Sequence, residues 1–228
     1  VLVLLPPSET KRPGGRKSPV RLDALSLPEL LPERERVVDA LVALSLDEES
    51  AARVLKLGAT QRSEVAVNAV IRSAPTMRAI DRYTGVLFDA LDAASLDPSA
   101  RRWLGGHVMI HSAPWGPVGA LDFIPSYRLG AGVSLPGVEA LRRVWAEAVT
   151  RSLRAHEPGF ILDLRSEAYV ALGPVPDDLS YAYVRVVTEG ADGVVRALNH
   201  FNKHAKGALV RLLAQERPRI RSRAGLLA

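Results

Sequence analysis

Two short apolar runs, Val1-Leu2-Val3-Leu4-Leu5 and Phe160-Ile161-Leu162-Asp163-Leu164, constrain the fold of this chain more than any other feature. Each reads as a buried strand rather than a helix face, because the runs are short and do not alternate. Pro6-Pro7 closes the first, since proline cannot donate to a sheet ladder. Tyr181 to Thr188 is rich in aromatic and β-branched residues and predicts a further strand. The turn Glu189-Gly190-Ala191-Asp192-Gly193 then predicts a hairpin into a strand over about 194–198.

Helical patterns surround these strands. Val37, Val38, Leu41 and Leu44 predict a helix over 33–44. Asp47 is placed to cap a second, with Glu48 and Glu49 in its first turn. Gly58 breaks that helix, and Thr60 is placed to cap a third to about Ile71. Further helices are expected over 76–91, from Asp97-Pro98 to Leu104, over 136–155 and over 202–215. His107 to His111 reads as a strand, 116–132 as irregular, and Ser8 to Arg21 as a mobile basic loop. Local helices mixed with hairpin and isolated strands argue an α+β fold in a single domain over 1–228.

Composition narrows the function classes. A chain of 228 residues, 47% hydrophobic, can bury one sizeable core. There is no cysteine, so disulfides, thiolate metal sites and thiol redox chemistry are excluded. No apolar run approaches a bilayer span, and a cytoplasmic protein is expected, with no membrane partner. The net charge is +5. Lys11, Arg12, Arg16, Lys17 and Arg21 cluster near the start, and Lys203, Lys206, Arg211, Arg217, Arg219, Arg221 and Arg223 near the end, with a basic tail over 216–228. Joined, these would form one cationic surface suited to a polyanion; taken singly, each is also a plain solvated charge cluster.

Several segments carry possible chemistry. The helix, Gly turn and helix over about 47–72 has the outline of a helix-hairpin-helix, with Lys56 and Arg62 flanking Gly58. In such a motif backbone N–H groups and a helix N-terminus approach a DNA phosphate. Any two packed helices joined by a short turn share that outline. Lys203 and Lys206 are three apart and share a helix face near an expected helix start, where phosphate or carboxylate would be attracted. His200 and His204 are four apart on an expected helix but no third ligand accompanies them, and His107 and His111, four apart on an expected strand, would be roughly 13 Å apart and too far to chelate together. No metal site and no cofactor is therefore expected. Phosphate-loop, dinucleotide and nucleophile-elbow signatures are absent.

Six segments occur together in order: Leu4-Leu5-Pro6-Pro7-Ser8-Glu9-Thr10-Lys11, Arg82-Tyr83-Thr84-Gly85, Trp115-Gly116 through Leu121-Asp122 to Tyr127-Arg128-Leu129, Trp145, Leu164 with Ser166 and Tyr169, and Phe201-Asn202-Lys203-His204-Ala205-Lys206-Gly207. Along nearly the whole chain they resemble the YaaA family of peroxide stress proteins. The resemblance implies the α+β arrangement called the cantaloupe fold, a mixed sheet with surrounding helices and a helix-hairpin-helix element. It also implies a positively charged cleft and binding to double-stranded, bubbled or branched DNA in the peroxide response. By position it carries over Ser8 and Lys11, then Tyr83, Thr84 and Gly85, then Asp122, Tyr127 and Arg128, then Lys203 and Lys206. Gly119-Ala120 departs from the family, where Arg-Pro is common, and removes one cationic side chain.

Two functions follow as expectations. In the first, DNA or another anion is bound by Ser8, Lys11, Arg12, Lys56, Gly58, Arg62, Arg128, Lys203 and Lys206. In the second, Lys11, Tyr83, Asp122, Tyr127, Arg128, Ser166 and Lys203 serve an enzyme acting on a small anionic or nucleotide-like substrate. The central segment is the expected wall of the cleft, with Asp122 orienting Arg128; the alternative is a buried Asp–Arg pair that only fixes a loop. Iron held by the paired histidines ranks last.

Overall fold

The structure is a computed structural model that describes residues 1–16, 18–185, 187–189, 195–197 and 199–227. In chain order its elements are β1 (Leu2–Leu5), α1 (Leu31–Leu44), α2 (Glu48–Val54), α3 (Ser63–Ala69), β2 (Met77–Arg78), α4 (Ala79–Arg82), α5 (Val86–Leu91) and α6 (Pro98–His107). There follow β3 (Val108–Ser112), β4 (Gly116–Gly119), β5 (Phe123–Ile124), α7 (Leu141–Ala155), β6 (Ile161–Asp163), α8 (Glu167–Val170), β7 (Tyr181–Tyr183), β8 (Val187–Glu189), β9 (Val195–Ala197), α9 (Asn199–Glu216) and α10 (Arg223–Leu227).

The apolar runs form the centre. β1 lies between β3 and β6, parallel to both, with Val3 opposite Val108 and Leu162. β7 adds parallel to β6, and β4 closes the other edge antiparallel to β3, giving the order β4-β3-β1-β6-β7. Every residue of β1, β3 and β6 is buried, as expected of parallel strands covered on both faces. Two small antiparallel pairs, β2-β5 and β8-β9, lie outside this sheet. The α+β class and the mixed sheet with surrounding helices therefore stand. α7 buries the expected stripe of Leu141, Val144, Trp145, Ala148, Val149 and Leu153, and Trp145 donates its indole N–H to the Ala113 carbonyl at 2.9 Å.

Several elements differ from the sequence reading for identifiable reasons. The helix expected over 76–91 is broken into β2, α4 and α5, because Gly85 adopts φ +95 and redirects the chain. A Cβ at Gly85 would also meet the Ser8 and Thr10 hydroxyls at 3.3 Å. His107 ends α6 rather than starting a strand; its ring stacks on Trp103 at 4.4 Å, one helical turn back. The irregular stretch 116–132 contains β4 and β5. The segment 181–188 is divided between β7 and β8, and β8 pairs with β9 as the hairpin predicts; its turn at 190–194 lies outside the described residues. Thr60 caps nothing: it sits inside a short 3-10 turn before α3. Residues 8–16 are tied down rather than loose. Lys11 bridges Tyr83, Arg16 bridges Thr76, and the Arg82 guanidinium donates to the Arg12, Pro75 and Ile124 carbonyls. No helix among the described residues is long and apolar enough to cross a membrane.

Candidate functional site: a cationic crevice at the strand ends

The order of the parallel strands places a crevice. From β1 the chain adds β3 on one side and, after α7, β6 and β7 on the other. The direction reverses between β1 and β6, and in open parallel sheets ligands bind beyond the carboxyl ends of strands at that point. A cleft of about 1170 Å³ lies there. It is lined by Pro6 to Lys11 after β1, Leu164 and Ser166 to Tyr169 after β6, and Tyr183 to Arg185 at the end of β7. Thr84 to Phe88, Tyr127 to Val133, Leu55, Lys56, and Asn202, Lys203 and Lys206 of α9 complete it. Segments far apart in sequence thus meet because three parallel strands end on one edge.

Its charge is one-sided. Lys11, Lys56, Arg128, Arg185, Lys203 and Lys206 face only Glu9 and Glu167 among the lining residues. Lys203 is exposed on α9, while Lys206, one turn on, is buried with its ammonium 5.8 Å from the Tyr183 ring centre. Burial lowers the Lys206 pKa, and Asp163 opposes that lowering.

Lys11 sits at the aromatic end of the cleft. Its Nζ donates to the carbonyls of Ser8 at 3.0 Å and Glu9 at 3.2 Å. The same atom lies 4.1 Å from the Tyr127 ring centre and 5.6 Å from that of Tyr83. The two tyrosine hydroxyls are 2.8 Å apart, and Tyr83 stacks on Phe88 at 5.2 Å. Burial raises the pKa of both phenols, so both are neutral. Burial lowers the Lys11 pKa to about 7, with Glu64 and Glu9 opposing and Arg128 adding to the effect. A substantial share of Lys11 is then free amine near neutrality. The stability consequence has a definite sign. Between pH 7 and the ordinary lysine value of 10.5 the unfolded chain binds more protons, so stability rises with pH through that window. Lys11→Met is expected to be more stable than the parent at pH 6, by on the order of 1–3 kcal/mol. The gap should close towards pH 10, and denaturant midpoints at the two pH values check it.

Arg128 is held from two directions. Asn68, buried on α3, accepts from the Arg128 backbone N–H at 2.7 Å and donates to its carbonyl at 2.8 Å. The guanidinium donates to Glu9 at 3.1 Å. Asp122 plays no part in this, contrary to the expectation. It accepts from the Ser26 backbone and hydroxyl at 2.8 and 3.1 Å and from the Gly119 N–H at 2.8 Å. The neighbouring buried guanidinium is Arg34, which donates to the carbonyls of Trp115, Ser26 and Pro117. Asp122 is a half-buried loop clasp outside the cleft, held by Ser26 and Gly119 rather than in the buried Asp–Arg pair of the alternative. Gly119 belongs to that clasp as well: a Cβ there would lie 2.6 Å from the Ser26 hydroxyl. Gly119 and Ala120 lie outside the cleft lining.

The remaining candidates divide. Ser8 and Ser166 line the cleft, and Tyr83 backs it behind Lys11. Lys56 lines it with φ +55, whereas Gly58 and Arg62 do not. The Gly58 N–H is taken by the Gln61 side chain at 3.2 Å, and Arg62 pairs with Glu49 and Glu48. Arg12 is exposed and outside the lining. The two basic termini do not merge wholly: Arg211 donates to the Leu91 and Asp92 carbonyls, and Arg217 to Ser99. His204 is exposed, and the His200 side chain lies outside the described residues. Among the described residues no group of three or more His, Asp or Glu side chains is placed to hold a metal ion.

Sequence reasoning passed over a buried group behind the cleft. Asp163, Arg165 and His111 are all buried. Both Asp163 oxygens accept from Arg165, at 2.9 and 2.7 Å, and Arg165 donates onward to His111 Nδ1 and the Gly173 carbonyl, each at 2.8 Å. Nδ1 accepts, so the imidazole proton is on Nε2, which has no partner. An aspartate inside an otherwise apolar run, two residues from an arginine, was the available signal. Asn68 carried another, since asparagine in a helix interior forgoes propensity for a side-chain bond.

An α+β sheet protein with a cation-lined crevice at its topological switch point is the class this geometry defines. The sequence profile described as "Peroxide stress protein YaaA" matches residues 1–225, and the chain belongs to that family. It is 44% identical to a UPF0246 protein of Corynebacterium efficiens over 232 residues, covering 100% of this chain and 90% of the relative. A UPF0246 protein of Streptomyces coelicolor is 44% identical over 217 residues, covering 93% and 82%. An uncharacterized protein of Campylobacter jejuni is 27% identical over 216 residues, covering 93% and 84%.

Proposed function

We propose that this protein binds DNA through the crevice at the strand ends, by phosphate contacts, as its part in peroxide defence. The observation that carries the reading is the charge of the lining: six cationic residues against two acidic ones, on walls contributed by β1, β6, β7 and α9. Phosphates on a strand laid along such walls would meet Lys203 and Arg128, with Lys56 at the rim. The segment 47–72, with its helix-hairpin-helix outline, contributes through Lys56, its one residue of the proposed anion set in the lining, while the Gly58 N–H is already engaged. Recognition is then by backbone and shape, without base reading.

The test is binding to a bubbled duplex across a salt series. Affinity is expected to fall steeply with salt as counterions are released. Lys203→Ala/Lys206→Ala should flatten the log–log slope by about 1 to 2. A salt-indifferent affinity, or one unmoved by the double substitution, would remove the reading.

A second reading is supported by one specific observation, the placement of Lys11 in a crevice at the switch point, against the Tyr127 ring and two neutral carbonyls. Such a crevice suits a small anionic or nucleotide-like substrate. Its machinery would centre on Lys11, Arg128, Ser166 and Lys203, with Tyr83 and Tyr127 behind. Asp122 falls outside it.

A further inference from the structure

Lys11 is built differently from the other cleft cations. Arg128 pairs with Glu9, and Lys203 is exposed on its helix. Among the described residues Lys11 has no carboxylate partner within ion-pair distance; its two anchors are neutral carbonyls, those of Ser8 and Glu9, and its third neighbour is the Tyr127 ring face. Two N–H groups given to two carbonyls are compatible with a neutral amine, in which the remaining position on Nζ is a lone pair. The loop that carries it is fixed by the Lys11–Tyr83 bridge and by the Thr84 N–H bond to the Thr10 carbonyl at 3.2 Å. An amine desolvated by aromatic walls and placed near an arginine is the arrangement in which lysine attacks carbonyl carbon.

We propose that the Lys11 amine condenses with the aldehyde of a phosphorylated sugar held in the crevice, chemistry shared by the ring-opened sugar of an abasic DNA site and by a small sugar phosphate. The proposal rests on the anion-binding reading of the same cleft, since Arg128 and Lys203 would seat the phosphate. The Nζ lone pair forms a C–N bond to the carbonyl carbon as the C=O π pair moves to oxygen. That oxygen takes up protons and leaves as water, with both amine hydrogens lost over the two steps. An imine joins Nζ to the sugar, with no oxidation or reduction. Water returning to the imine carbon reverses the sequence and frees Lys11. The low proton affinity of Lys11 keeps the amine nucleophilic near neutrality.

The experiment traps the imine with sodium cyanoborohydride, whose hydride reduces it to a stable secondary amine. The full protein is incubated with a duplex carrying one abasic site, with glyceraldehyde 3-phosphate and with unphosphorylated glyceraldehyde. Binding of an intact bubbled duplex is measured on the same preparation. The expected result is a covalent adduct mapped by peptide mass to Lys11, with an initial rate that levels off just above pH 7. The rate should fall at least tenfold in Lys11→Arg and at least tenfold without the phosphate. Adduct with glyceraldehyde 3-phosphate in the absence of duplex binding would support the proposal, assign the sugar to a small molecule and remove the DNA reading. Binding of the intact duplex with no Lys11 adduct from any aldehyde would overturn the proposal and leave the DNA reading in place. Adducts spread over Lys203 and other exposed lysines, with a rate still climbing towards pH 10, would overturn it too. The map and pH profile of the unsubstituted protein decide the matter even if Lys11→Arg fails to fold.

Discussion

Asp163→Ala is expected to destabilise the protein by about 3–5 kcal/mol, the cost of leaving one member of a buried ion pair without its partner. Arg165 would be that member. It is fully buried, and three of its donor contacts go to Asp163: its own backbone N–H at 3.0 Å, Nε at 2.9 Å and Nη2 at 2.7 Å. The remaining contacts, to neutral His111 Nδ1 and the Gly173 and Tyr169 carbonyls, cannot balance its charge. His111 cannot help by changing state, because burial and the adjacent Arg165 hold its pKa well below the usual histidine range. For a chain of this length the loss corresponds to a melting shift on the order of 10 °C, measurable by calorimetry. Asp163→Leu/Arg165→Met should recover most of the loss, since apolar groups of similar volume tolerate the same space. If the single and double variants melted together, the pair would have no energetic role.

The group also explains how β6 serves the crevice. Asp163 is the last residue of the strand and Leu164 the first lining residue beyond it. The carboxylate folds back on the Arg165 N–H, which turns the chain away from the sheet and delivers Ser166 and Glu167 to the cleft. The same carboxylate acts electrostatically on Lys206 across the gap to α9.

What the sequence disclosed, and what it hid, follows from the range of the interactions. The apolar runs of β1 and β6 and the stripe of α7 are local patterns, and they were readable as such. Strand order was not, because nothing in Leu2–Leu5 names Val108 and Ile161 as its neighbours. Lys11, Arg128, Lys203 and Lys206 were readable as cations in shared motifs, and the fold gathers them at one edge. Asp122 was misassigned for a physical reason. Its spacing from Arg128 in sequence is short, but its carboxylate is claimed by Ser26, 96 residues upstream, and the charge beside it is Arg34. Arg62 and Gly58 lie outside the cleft lining, where short-range partners, Glu49 and Gln61, engage the guanidinium and the N–H.

Gly207 closes the last shared motif, and Gly207→Val is expected to have an effect as large as breaking the buried pair. The residue faces α5 at close range: a Cβ placed there would lie 2.0 Å from the Leu87 carbonyl oxygen and 3.0 Å from the Ala90 Cβ. Neither obstacle is the end of a flexible side chain, so the helices themselves must separate. α5 carries Leu87, Phe88 and Leu91 into the core, and α9 answers with Val210, Leu213 and Ala214, all buried. Separation would uncover those side chains and withdraw Lys203 and Lys206 from the wall they share with Val86 and Leu87. Overpacking at such a site costs about 1–3 kcal/mol, and the exposed apolar area adds to it. Gly207→Val should therefore lower the melting temperature on the order of 10 °C and weaken anion binding at temperatures where the protein is still folded. Gly207→Ala, with two carbons fewer, should show the same two effects at reduced size. The pairing is what matters: a variant that melts early yet binds a bubbled duplex with the parent's salt slope would show that α9 does not form a wall of the binding cleft.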